Sequence, residues 1–284
     1  MSLFSSILKR RRIARSARGY LLLLSLLWLY PVGRGGAALP ANDEAAPVPV
    51  RFVEGALHGF LALRTIQGDV VASGDIRQVT LGTKVEARTI FHFKDGSLSD
   101  EAVTFTQQKV FSMESYQLVQ RGPAFAQDID IHLERGNSKY RVKVKDHKNG
   151  MEKAIDGSLD LPTDVYNGMI LTVTKNLPKG GSKIVHVVAF TPEPRIIQLQ
   201  ISPADEQSIM IEGRAQKATH YVLHPELGAW LKLLTKLAGR TPPDEHVWVL
   251  ADAVPAFVKF EGPLYEGGPV WRMELATPRM ASAK

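Results

Sequence analysis

The stretch EARTIFHFKDGSLSDEAVTF, residues 86–105, alternates Thr, Ile, Phe and Val with polar side chains on both sides of Asp95-Gly96. Alternation with period two marks a half-buried strand, and Asp-Gly between two such runs is a strong hairpin signal. Strands joined so tightly run antiparallel. The pattern recurs outward, predicting strands near 69–80, 108–122, 182–191, 195–202, 206–213, 215–223, 246–251, 256–261 and 269–276. Turn residues punctuate these runs at short intervals.

A further pair fixes its own register. FAQDIDIHLER (125–135) places Asp128, Asp130, His132 and Glu134 on one face, and KYRVKVKDHK (139–148) places Lys139, Arg141, Lys143 and Lys145 on one face. Gly136-Asn137 can join them. Setting Ile131 against Val142 then sets Glu134 against Lys139, His132 against Arg141, Asp130 against Lys143 and Asp128 against Lys145. The basic stripe therefore reads first as a charge-matched solvent face, ahead of an anion site or metal ligands.

Two segments have helical spacing. In PTDVYNGMILTVTKNLP (162–178), Val165, Met169, Val173 and Leu177 stand four apart, Thr163 can cap, and Pro178 stops the run. The β-branched residues 172–174 keep a strand in contention. In HPELGAWLKLLTKLAG (224–239), Pro225 suits a first turn and Gly239 a C′ position, predicting a helix over 225–238 with an apolar face at Leu227, Trp230, Leu231 and Leu234. Both helices need an apolar surface to lie on. The expected fold is mainly β: a strongly curved antiparallel sheet, an open or half barrel, with one or two α-helices on its concave face.

The chain opens differently. Lys9, Arg10, Arg11, Arg12, Arg15 and Arg18 precede an uncharged, Leu-rich run from Gly19 to Gly33, followed by Gly35, Gly36, Ala37 and Ala38. The run falls short of the roughly 20 residues that span a bilayer. A basic region, a short apolar core and small residues make a secretory signal, expected to be cleaved after Ala38 or else Ala41; a retained anchor is the second reading. Domains follow: a signal over 1–38, a Pro/Ala-rich flexible linker over 39–50, one β-rich domain over 51–278 and a disordered tail over 279–284. The expected location is periplasmic or extracellular.

The leader also carries the charge. Seven of the 35 Lys and Arg lie in residues 1–38, which hold no Asp or Glu. Without them 28 positive and 29 negative side chains remain, net −1, against +6 for the whole chain. A near-neutral body has no field to draw it onto nucleic acid. With no cysteine there is no disulfide, no Cys-type zinc site and no lipidatable Cys of the bacterial lipoprotein kind.

Catalytic motifs are missing: no GxSxG, no P-loop, no GxGxxG, no HExxH. His220 and His224 are four apart, but on a strand they stand about 13 Å apart, too far to share a metal. No catalytic residue, cofactor or metal ligand is therefore assigned. What remains is apolar and aromatic. Most of these rings read as core; Tyr166, Met169, Trp230, Leu234, Trp248 and Trp271 are the candidates for lining a cavity between helix and sheet.

The segments GPAF (122–125), DVYNGM (164–169), PRIIQLQISP (194–203) and GGPVWRMEL (267–275) resemble an uncharacterised family of exported bacterial proteins, a likeness that covers nearly all of the chain after the leader. It implies no activity. The order of signal, strands and few helices is more loosely similar to periplasmic half-barrel carriers of lipids or lipoproteins. The leading expectation is an exported, non-catalytic protein that binds or carries an amphipathic or lipophilic envelope ligand, with no nucleic acid partner and no membrane span after cleavage. An envelope hydrolase or lyase acting on sugar or ester, drawing on Tyr166, Asn167 and His220, is the second. A structural or assembly partner that adds a strand at an open sheet edge is the third.

Overall fold

The computed structural model describes residues 46–190, 193–211, 213–226, 242–250 and 252–276, all within the unit Asn42–Lys284. The fold is mainly β. Fourteen strands form a single antiparallel sheet: β1 (Leu57–Thr65), β2 (Val70–Leu81), β3 (Lys84–Phe93), β4 (Leu98–Gln107), β5 (Phe111–Arg121), β6 (Gln127–Glu134), β7 (Lys139–Asp146), β8 (Glu152–Ser158), β9 (Lys183–Ala189), β10 (Arg195–Ile211), β11 (Arg214–Glu226), β12 (Glu245–Leu250), β13 (Phe257–Gly262) and β14 (Trp271–Leu275). One helix, α1 (Ile170–Asn176), lies between β8 and β9 among the described residues.

The strand order, β8-β7-β6-β5-β4-β3-β2-β1-β14-β13-β12-β11-β10-β9, is two meanders joined at β1·β14. Each hairpin follows from local turn chemistry, but the β1–β14 seam pairs Leu61 with Leu275, residues from opposite ends of the described chain. Strands β8 and β9 end the sheet and do not pair with each other.

The Asp95-Gly96 hairpin forms as expected. Phe93 N donates to Ser97 O, and Gly96 takes φ +86°, which favours glycine. The β6–β7 register also forms as expected, from Glu134 against Lys139 to Asp128 against Lys145. The ion pairs, however, reach sideways. Arg141 pairs with Asp156 and Lys145 with Glu152, both on β8, while Asp128 takes His147. Burial of Ile129, Ile131, Leu133 and Val142 is what holds the register.

Three expectations are corrected. The two strands expected at 195–202 and 206–213 are one, β10, whose register shifts between Pro203 and Asp205; Pro203 lacks an N–H, so the ladder bulges there and then continues. The helix expected over 164–177 shrinks to seven residues. Val165 bridges His186 of β9, and Asn167 holds Val188 from both ends of its amide (Val188 N to Oδ1, 2.8 Å; Nδ2 to Val188 O, 2.9 Å). Gly168 at φ +69° then turns the chain into α1. Asp164, ahead of that turn, bonds His186 (2.8 Å). Finally, Pro225 and Glu226 are the last residues of β11, paired with Leu199 and Gln198; the rest of the expected 225–238 helix lies outside the described residues, as do the leader and the 279–284 tail.

The last residues of the expected linker belong to the body. Val48 is buried, and its N–H donates to Tyr166 Oη at 2.7 Å. Arg51 N and Phe52 N donate to Asn176 Oδ1, and Glu54 exchanges two hydrogen bonds with Gln107 while ion-pairing with Lys175 at 2.8 Å. This strap links α1 to β4 and β5. Apolar residues of α1, β1–β7, β9–β14 and their loops form one core cluster, with Tyr166, Phe105, Phe111 and Leu63 among its fully buried side chains.

Candidate functional site

A cavity of about 240 Å³ opens on the face of the sheet that carries the core. Its wall is a direct product of strand alternation. Ile76 and Gln78 of β2, Ala87, Thr89 and Phe91 of β3, Ser99, Glu101 and Val103 of β4, and Tyr116, Leu118 and Gln120 of β5 all point into it, every second residue along each strand. Glu245 of β12, Phe260 of β13 and Met273 of β14 supply the other side, and Gly168 to Thr172, with the start of α1, cover it. Gly168 is required there: a Cβ would lie 3.0 Å from Val103 Cβ.

Two carboxyls break the apolar pattern of this wall. Glu101 accepts a hydrogen bond from Tyr116 Oη at 3.0 Å. Burial raises its pKa, and the tyrosine offsets this only in part. Burial and the neighbouring carboxylate in turn hold the Tyr116 hydroxyl well above its usual range. Glu245 has no hydrogen bond or ion pair among the described residues. Burial, then repulsion from Glu101, raises it to about 7. Gly262 lies beside it; a Cβ there would come 3.0 Å from Glu245 Cγ.

The four described residues among those expected to line a cavity, Tyr166, Met169, Trp248 and Trp271, are not in the lining of this one. Tyr166 is fully buried, its hydroxyl set between Val48 N and Phe111 O, and burial pushes its pKa to about 12. Met169 is fully buried beside the cavity-lining Gly168 and Ile170. Trp271 belongs to an aromatic cluster with Phe93, Phe125 and Tyr265, centroids 5.4–6.5 Å from its own. Trp248 is on the opposite face from the neighbouring Val247 and Val249. Trp230 and Leu234 lie outside the described residues. Glu101 and Glu245 were missed, yet parity exposes them: once Phe91 and Phe93 define the inner side of the β3–β4 hairpin, the pairing Phe91–Ser99 puts Glu101 there too. Glu245 likewise shares the face of Val247 and Val249.

The outer face of β10–β14 carries a different array. Asp205, His220, Trp248, Lys259 and Glu274 lie across neighbouring strands in one row. His220 Nδ1 is 2.6 Å from Asp205 Oδ1, its Nε2 is 2.9 Å from His246 Nδ1, and its ring stacks on Trp248 at 4.4 Å. Lys259 Nζ sits 3.6 Å over the Trp248 ring. His224 pairs separately with Asp244. Among the described residues no group of three or more His, Asp or Glu is placed to hold a metal ion.

A third polar group is structural. Arg135 donates to Met113 O, Leu161 O and Pro162 O, tying β5 to the segment that leads into α1. Its Nη2 and Asp164 Oδ2 are both buried without a partner, and burial lowers the Arg135 pKa.

No family model matches the chain, and neither a curated protein nor a solved structure matches it.

Proposed function

We propose that this is an exported, non-catalytic binding or carrier protein that shelters a small amphipathic ligand between its sheet and α1. The cavity carries the reading: an apolar wall with a few convergent polar groups is the usual form of a small-molecule site. The reading includes a strongly bent sheet, an open or half barrel with α1 on its concave side. Glu101 and Glu245 stand on β4 and β12, six strands apart in the order, and line one cavity. In a flat sheet those strands would be about 29 Å apart. The basic, Leu-rich leader supports export to the periplasm or beyond.

Native mass spectrometry of the protein purified from its own envelope tests this. The expected result is a bound small mass, lost on solvent extraction and absent from Ala87→Phe, which fills the cavity from β3. An empty native protein that also takes up no small amphiphile would overturn the reading.

The hydrolase or lyase reading draws on Tyr166, Asn167 and His220, of which His220 lies in a hydrogen-bonded row with Asp205 and His246. That row lies on the face away from the cavity. It predicts turnover of an ester or glycoside that His220→Ala abolishes. The strand-addition reading needs an unguarded edge, and the terminal strand β8 exposes Glu152 and Lys153 instead; at the other end, Val165 already bridges β9.

A further inference from the structure

Beside the hydroxyls of Thr89, Ser99, Tyr116 and Thr172, the cavity wall carries four side chains that offer it acceptors: Gln78, Gln120, Glu101 and Glu245. Gln78 and Gln120 are 6% and 2% exposed, and both spend their amide nitrogens on the protein. Gln78 Nε2 donates to Glu54 Oε2 (3.2 Å) and Gly55 O (2.6 Å); Gln120 Nε2 donates to Ser99 Oγ (3.3 Å) and Leu264 O (2.8 Å). Their Oε1 atoms accept no hydrogen bond among the described residues. Glu245 accepts none either, and Glu101 accepts only from Tyr116. The lining holds no Lys, Arg or His. Acceptors lining a narrow cavity gain by meeting donors there, and two carboxylates on one cavity are unfavourable until they meet a positive charge. Water supplies donors but no charge.

We infer that the cavity is built for a small amphipathic cation, whose protonated amine donates to Glu245, Glu101, Gln78 and Gln120 while its hydrocarbon body lies on Phe91, Leu118 and Leu171. This rests on the binding reading above and narrows it. A carboxylate or phosphate head is repelled; a neutral alcohol satisfies acceptors but leaves the charge unopposed. The cavity, at about 240 Å³, suits a short chain rather than a full lipid. Glu101, Tyr116 and Glu245 are the titratable groups of the lining, from β4, β5 and β12; both carboxyls are raised by burial, Glu245 to about 7. Mild acid therefore weakens the grip on a cation.

Hexylamine, hexanol and hexanoate share one chain and differ in head charge. Titration calorimetry with the purified protein at pH 8 is expected to show hexylamine binding at least tenfold tighter than hexanol, with hexanoate weakest. At pH 5.5 the amine's advantage shrinks at least fivefold. Glu245→Gln removes most of that advantage at pH 8, while an unfolding midpoint at or above that of the unaltered chain shows the fold intact. Equal affinity for amine and alcohol overturns the cation assignment and leaves the binding reading standing; no binding by any of the three overturns both. A Glu245→Gln variant that keeps the full preference also overturns the assignment.

Discussion

Glu261 on β13 stands directly across from His246 on β12, and Glu245 is the residue next to His246. The pleat sends the two glutamates to opposite faces of one sheet. On the outer face Glu261 accepts from Arg272 at 2.7 Å and pairs with Lys259 at 3.1 Å. Burial alone would raise its pKa, but these two cations overcome it and hold the carboxyl below its usual value. Glu274 forms an ion pair with Arg64, and Asp205 is held low by hydrogen bonds from Gln207 and His220. On the inner face Glu245 meets no cation, and its pKa rises to about 7. One face neutralises its carboxylates with the chain's own residues. The other leaves that work to be done, and it is the face with the cavity.

The largest test of this contrast is Glu245→Gln. A carboxyl that titrates near 4.5 unfolded and about 7 folded keeps its proton longer in the folded state. Stability is therefore lost as pH rises from about 4.5 through 7, by on the order of 3 kcal/mol, and is retained in acid. Glu245→Gln should remove that loss, so that the variant is the more stable protein at pH 8 and no more stable at pH 4. Chemical denaturation at both pH values measures it; a variant less stable at pH 8 breaks the contrast.

Next is Tyr166→Phe, an inner-face polar group that is satisfied. It leaves the buried Val48 N–H without its acceptor and should destabilise by about 1–3 kcal/mol at any pH, with faster amide exchange at Val48. Smaller again is Glu261→Gln on the outer face. It should lower stability by about 0.5–1 kcal/mol at neutral pH, opposite in sign to Glu245→Gln, and the difference should fade as acid protonates the native carboxyl or salt screens it. The smallest effect is Lys259→Met, which removes the ammonium over Trp248 and should cost about 0.5 kcal/mol, read from thermal unfolding together with a changed tryptophan fluorescence.

Much of the architecture was legible because it is local. Alternation and Asp95-Gly96 placed the central hairpin, and apolar matching placed the β6–β7 register to the residue, since a slip of one would turn Ile131 and Val142 outward. Strands β1 and β8 were not expected. Gly59 and Gly74 interrupt the apolar pattern around the β1–β2 pair, and β8, a terminal strand, is exposed along most of its length. The helix over 164–177 was half right: its apolar spacing is real, but β9 offers backbone partners to Val165, Tyr166 and Asn167 that a sequence does not display.

The sequence by itself determined the class of fold, the hairpins and the faces, because each depends on neighbours a few residues away and on a side-chain period of two. Only the tertiary structure decided that β1 pairs with β14, that α1 covers the wall, and that Glu101 and Glu245 open on the same cavity. Those facts depend on which distant surfaces share a core. Burial and repulsion between carboxyls some 140 positions apart in the chain act through space, and no spacing along the sequence records that distance.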